Sequence, residues 1–177
     1  ITIKRQIADT RNKLTDEQLF ASPRFSAYLT DIAEGATKRY KRSSKVRTCW
    51  DLSENAGIAV TDNRIIHLNA GNFLTRSFPT RSLRADSLIG LVGHECGHIL
   101  FSDFTMLELY FQSLEKGRFY PKEPEAVTTA LEKNLQDIKD CLSKKDEAAI
   151  KALSDISHSL VNIMEDVYIE SRICDEF

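Results

Sequence analysis

The sequence predicts an α+β fold, mainly helical, in which a small antiparallel sheet precedes one central helix and the C-terminal half is again helical. Three observations predict it. Apolar residues recur at helical spacing over most of the chain, three short runs near residues 45–69 have strand character, and a strongly apolar helical stretch follows a loop punctuated by Gly and Pro. At 177 residues and 42% hydrophobic composition, the chain is long enough for one domain with a proper core and short for two. It begins with Ile1, and its last helix is expected almost to reach Phe177, which reads as a domain excised from a longer protein.

The elements follow in order. Leu19, Phe20, Phe25, Tyr28, Leu29, Ile32, Ala36 and Tyr40 keep a helical period from Thr15 to about Arg42, broken near Pro23, so a short helix and a longer one are expected. Lys45 to Leu52, Gly57 to Thr61 and Arg64 to Asn69 read as three strands of an antiparallel meander, the last two joined by the turn Asp62-Asn63. Arg64 to Asn69 is expected at its edge. Ala70 to Thr80 reads as a loop, and Ser82 to Leu100 as the central helix, continuing to about Lys116. Two prolines make Gly117 to Pro124 a loop, after which helices are expected over Glu125 to Ser143 and Asp146 to about Cys174.

Charge and composition exclude some classes. The 24 basic and 26 acidic residues nearly cancel, leaving a net charge of −2 and no global field for nucleic acid or anionic lipid. The basic run from Lys38 to Arg47 is read as the solvated end of a helix, whose C-terminus favours cations. No apolar stretch approaches the roughly 20 residues that span a bilayer and no signal-peptide pattern opens the chain, so a soluble protein without a membrane partner is expected. Cys49, Cys96, Cys141 and Cys174 are widely spaced among apolar neighbours, which predicts free buried thiols and a cytoplasmic location.

The chemistry concentrates in His94-Glu95-Cys96-Gly97-His98. Histidines at i and i+4 lie about 40° apart around a helix and one turn apart along it, so both imidazoles can converge on one Zn²⁺. Glu95, about 100° from His94, is poorly placed as a ligand and well placed to hold a water as general base. Zinc lowers the pKa of a bound water towards ~7, and the carboxylate takes its proton as a carbonyl is attacked. Leu88, Ile89, Leu91 and Val92 precede the motif and Ile99, Leu100 and Phe101 follow it, so three ionisable groups sit in an apolar helix, costly unless paired or metal-bound. Cys96 is expected in the core, and Gly97 is expected to let neighbouring backbone approach.

A catalytic zinc needs a third protein ligand. No histidine follows at the short H-x-x-G-x-x-H spacing, so a carboxylate on the last helix is the other route. With Asn162 as zero at about 100° per residue, His158 falls near −40°, Glu165 near −60° and Asp166 near +40°, all on one face. Leu160, Val161, Ile163, Met164 and Val167 flank it and are expected to pack into the core. Glu165 is the first choice for ligand, with Asp166 as its rival or as partner of a ligand histidine. Glu170 is placed one turn beyond the cluster. His158, Tyr110, Tyr120 and Tyr168 are candidate oxyanion donors, and His67 is expected to be structural.

His94-Glu95-Cys96-Gly97-His98, taken with Asn162-x-x-Glu165-Asp166-x-x-Ile169-Glu170 and the run Thr61 to Asn69, resembles gluzincin-like metallopeptidase domains. More narrowly, it is similar to those in front of von Willebrand factor A domains in bacterial and phage proteins related to a cobaltochelatase subunit. The similarity covers about Val46 to Glu170, with Asn63 where Gly is expected in the turn. The resemblance implies a zincin-like domain over 1–177, Zn²⁺ ligands at His94, His98 and Glu165, and Glu95 as catalytic base. It implies peptide-bond hydrolysis of a peptide or protein substrate, which in zincins can add to the sheet edge. The rival expectations are a non-catalytic metal-bound module beside a von Willebrand or ATPase-type partner, and a zinc amidohydrolase.

Overall fold

The computed structural model describes residues 13–118, 122 and 124–176. The chain divides into two compact units, Ile1–Ser102 together with Ile169–Phe177, and Asp103–Tyr168.

The first unit opens with α1 (Asp16–Phe20) and α2 (Pro23–Thr37). Both starts are written locally. Thr15 accepts a hydrogen bond from the Gln18 amide while the Gln18 side chain accepts from the Thr15 amide, a reciprocal cap, and Ser22 caps α2 ahead of Pro23. A 3₁₀ turn (Lys38–Tyr40) carries the basic end of α2 into β1 (Lys45–Cys49). Then follow β2 (Ala59–Thr61), β3 (Ile65–Asn69), α3 (Phe73–Ser77) and α4 (Arg81–Phe101).

The sheet differs from the expected antiparallel meander. Its order is β1-β3-β2, with β1 parallel and β2 antiparallel to β3, so β3 is the central strand and not the edge. The β2–β3 hairpin is tight: Asp62 Oδ1 accepts from the Arg64 and Ile65 amides, and Asn63 takes φ 71°, a conformation Asn tolerates. The longer link between β1 and β2 lets the hairpin insert β3 beside β1. Burial explains why β3 takes the middle, since Ile66 and Leu68 are sealed in the core whereas Val60 of β2 is exposed. The outer edge of β1 is closed by α2, where Thr30 Oγ1 accepts from the Val46 amide at 2.9 Å and Ser26 Oγ from the Thr48 amide at 3.1 Å.

Phe20, Leu29, Ala33, Val46, Ile66, Leu68, Leu88, Val92, Cys96 and Ile99 form one core between α2, the sheet and α4. Each buried aliphatic side chain there contributes roughly 1.5–3 kcal/mol. Asp16 fastens α1 to α4 through Arg81 at 2.7 Å and Arg84 at 2.5 Å. The stretch read as a loop between β3 and α4 contains α3, because Asn72 accepts from the Thr75 amide and starts a turn of helix.

The second unit holds α5 (Phe104–Glu115), α6 (Thr129–Ser143) and most of α7 (Glu147–Glu176). The central helix does not run on to Lys116. It ends at Phe101, Ser102 turns extended, and Asp103 caps a new helix by accepting from the Met106 amide. Thr128 likewise starts α6 four residues later than Glu125. Gly117, at φ 70°, closes α5 as a left-handed cap, and the remainder of the expected loop to Pro124 lies partly outside the described residues. Leu114 and Leu135 are buried, and the Phe111 ring stacks on His158 with centroids 3.6 Å apart. Leu160, Ile163, Met164 and Val167 do not enter a core: each is more than half exposed.

Among the described residues no helix is long and apolar enough to cross a membrane. The cysteines are free, as expected, but only Cys96 is buried, and Cys49 and Cys174 are exposed.

Candidate metal centre

The phase of α4 sorts its side chains into three directions. With Leu88 as zero, Val92, Glu95, Cys96 and Ile99 lie within about 80° of it, His98 and His94 near −80° and −120°, and Gly97 near 180°. The first group meets the core, and Glu95 is buried with it at 6% exposure. Cys96 is a core thiol: burial, and then the neighbouring Glu95 charge, push its pKa up to about 12, so it stays protonated at neutral pH. This agrees with its expected role as packing and not ligation.

His94 and His98 stand edge to face, with ring centroids 5.0 Å apart. Each has its Nδ1 against a side-chain oxygen. His98 Nδ1 meets Ser102 Oγ at 3.0 Å, a contact made where α4 ends and the backbone turns extended. His94 Nδ1 lies 3.5 Å from Glu170 Oε1, an ion-pair distance longer than a formed hydrogen bond. The sequence reading missed both partners, and it placed Glu170 beyond the cluster. The signal for Ser102 was present in Ser102-Asp103, a helix stop followed by an N-cap residue.

Gly97 explains how α7 reaches α4. A Cβ there would collide with Ile173 Cδ1 and stand 3.1 Å from Ile173 Cγ1 and 3.4 Å from Ile169 Cδ1. Ile169 is buried. The last turns of α7 therefore lie on the bare backbone of α4, which is the close approach expected of this glycine. A Cβ at Gly93, by contrast, would meet nothing within 4 Å, so no steric need accounts for that glycine. Nearby, Arg172 lies over the Phe101 ring and Arg39 and Tyr40 bind Glu176, fixing the end of α7.

These contacts set the phase of α7. Taking Glu170 as zero, Ile173 lies near −60° and Ile169 near −100°, which together define the face turned to α4. Asp166, one turn earlier on the same unbroken helix, falls near −40°, beside that arc; Glu165 falls near −140°, on its far side and away from Glu170. Two imidazoles and a carboxylate form a donor set that suits Zn²⁺. Among the other candidates, His67 sits on the exposed face of β3, His158 stacks on Phe111, and Tyr120 lies outside the described residues.

No protein-family model, no curated protein and no solved structure matches this chain. The functional reading therefore rests on the arrangement of its own side chains.

Proposed function

We propose that this chain is a zinc-dependent metallopeptidase domain, in which His94, His98 and Asp166 hold the ion and Glu95 moves the proton. The observation that carries the reading is the oxygen beside each Nδ1: Ser102 Oγ hydrogen-bonded to His98 at 3.0 Å, and Glu170 Oε1 at an ion-pair distance of 3.5 Å from His94. Ligand histidines are commonly oriented by an outer carboxylate or hydroxyl at one ring nitrogen, and with Nδ1 turned to these oxygens an ion would be taken through Nε2. Helix continuity supports this further, since Asp166 precedes Glu170 by one turn on the same unbroken helix. For the third ligand, helix phase favours Asp166 over Glu165.

A bound Zn²⁺ would supply a Lewis acid that polarises a carbonyl and acidifies a water. The chain's own residues do the rest. Glu95, one residue from His94 and held out of solvent, accepts the proton of the attacking water and returns it to the departing amine. An extended peptide adds to β2, because β3 is paired on both sides and β1 is closed by α2, while β2 has a strand neighbour on one side among the described residues. Main-chain hydrogen bonds along β2 would then align the scissile carbonyl beside α4.

The test combines metal analysis with hydrolysis of an unstructured peptide mixture. Wild type is expected to hold one zinc per chain and to cleave. Glu95→Gln is expected to keep the metal and lose activity by about 10²–10⁴-fold. A zinc-free Glu95→Gln, or one that cleaves at the wild-type rate, would remove Glu95 from this role.

A further inference from the structure

The outward side of α7 is built like an interface. Within the Asp103–Tyr168 unit, Ile156, Leu160, Ile163, Met164 and Val167 leave 55% to 71% of their surface uncovered, and Tyr168 half. Ile156, Leu160, Ile163 and Val167 follow one another at intervals of four, three and four residues. That is the spacing of a seam in which a second helix inserts its side chains between those of the first. The opposite side of the same helix turns inward, with His158 stacked on Phe111.

We propose that this seam is the contact surface for a second copy of this chain, the two α7 helices packing against one another about a two-fold axis. Three observations favour a second copy over other occupants. First, the arc from Ile163 round to Tyr168 spans about 140° at 100° per residue, and no Asp, Glu, Lys or Arg between residues 153 and 168 falls in it. A surface without charge can meet itself without like-charge conflict, as an isologous contact requires. Second, the six side chains expose on the order of 600 Å² of mostly apolar surface, at the upper limit of what a monomer leaves bare. Two copies would bury about 1,200 Å², the lower bound of a specific interface. Third, the polar residues beside the arc are Ser159, Asp166 and Asp155 on one side and Ser154 and Glu165 on the other, not the lysines and arginines with which a helix lies on an anionic bilayer.

The side chains already point the right way. Two helices in this register cross at about 20° with axes 8–10 Å apart, close enough for Leu160 and Ile163 to occupy the centre of the contact. Central, desolvated aliphatic residues are where truncation weakens an interface most. The proposal does not depend on metal at the α4 site, so its outcome and that of the peptidase reading are separable.

Sedimentation equilibrium of the whole chain over a dilution series tests it. Wild type should sediment at twice the chain mass and dissociate on dilution. The double variant Leu160→Glu, Ile163→Glu should raise the dissociation constant at least about thirtyfold. Ile163→Ala, which adds no charge, should raise it about tenfold. Both should keep the wild-type circular dichroism, because the altered side chains are exposed. Leu52→Glu, at an exposed apolar position on the other unit, should leave association unchanged. A wild-type chain that stays monomeric throughout, or a dissociation constant unmoved by the double glutamate variant, overturns the proposal.

Discussion

Glu170 Oε1 stands 3.5 Å from His94 Nδ1, although 76 positions of chain separate the two residues (170 − 94 = 76). A carboxylate there fixes the ring of a ligand histidine and raises its basicity, and loss of such a partner typically costs 10–100-fold in metal affinity. Glu170→Ala is therefore expected to weaken zinc binding by roughly tenfold or more. His94→Ala and His98→Ala should lose most of the metal. Competition against a chromophoric chelator measures all three, and an unchanged affinity in Glu170→Ala would make the contact incidental.

The two candidate carboxylates separate by substitution. Asp166→Ala should lose zinc, whereas Glu165→Ala should retain most of it, because Glu165 lies about 100° round the helix from Asp166. Chelation should also raise amide exchange over the last turns of α7, since an ion shared with α4 stabilises the docked helix. Full stoichiometry in Asp166→Ala with loss in Glu165→Ala would reverse the assignment.

Gly93 and Gly97, two of the three glycines of α4, should respond with opposite signs. Gly93→Ala, with open space at its Cβ, should stabilise the protein by about 1 kcal/mol through helix propensity. Gly97→Ala gains the same propensity but must displace Ile173, and overpacking costs about 1–3 kcal/mol, so it should be destabilising overall. Ile173→Val removes the colliding Cδ1 and should recover much of the loss in the double variant. Urea unfolding of the wild type and the four variants tests it; additive effects of Gly97→Ala and Ile173→Val would show that the two residues do not compete for space.

Stability should fall in acid partly through Asp16. Desolvation alone would raise its pKa, but hydrogen bonds from Arg84 and Arg81, with their charges, more than reverse this and hold it below 3.8. A lowered folded pKa means that the stabilisation is present above the unfolded value and is lost as pH drops through the folded one. Asp16→Asn should thus be less stable than wild type at pH 7, by up to about 1 kcal/mol for a partly solvated pair, with the gap narrowing below pH ~4. A gap that stays constant down to pH 2 would contradict the linkage.

What the sequence disclosed was mostly local. The start of α4 and the i, i+4 histidines were legible because helix period and metal spacing act over a few residues. The three strands were legible for the same reason, but their order was not: alternation cannot tell that a hairpin inserts its second strand beside β1. The carboxylate face of α7 was likewise visible on a helical wheel, whereas the turn that meets His94 was not. That axial placement depends on Ile169 and Ile173 settling over Gly97, a contact between distant parts of the chain. The exposed seam of α7 misled the reading in another way, since apolar periodicity reports a wish for burial and not which surface provides it.

The hydroxyls of Ser26 and Thr30 occupy the outer amides of β1. Edge strands are where sheets recruit further strands, and runaway recruitment needs two receptive margins per molecule. With one margin shut by its own helix, this sheet is a terminus rather than a link. Two copies paired through β2 would leave no open margin between them, so this sheet cannot propagate into a fibre of its own copies.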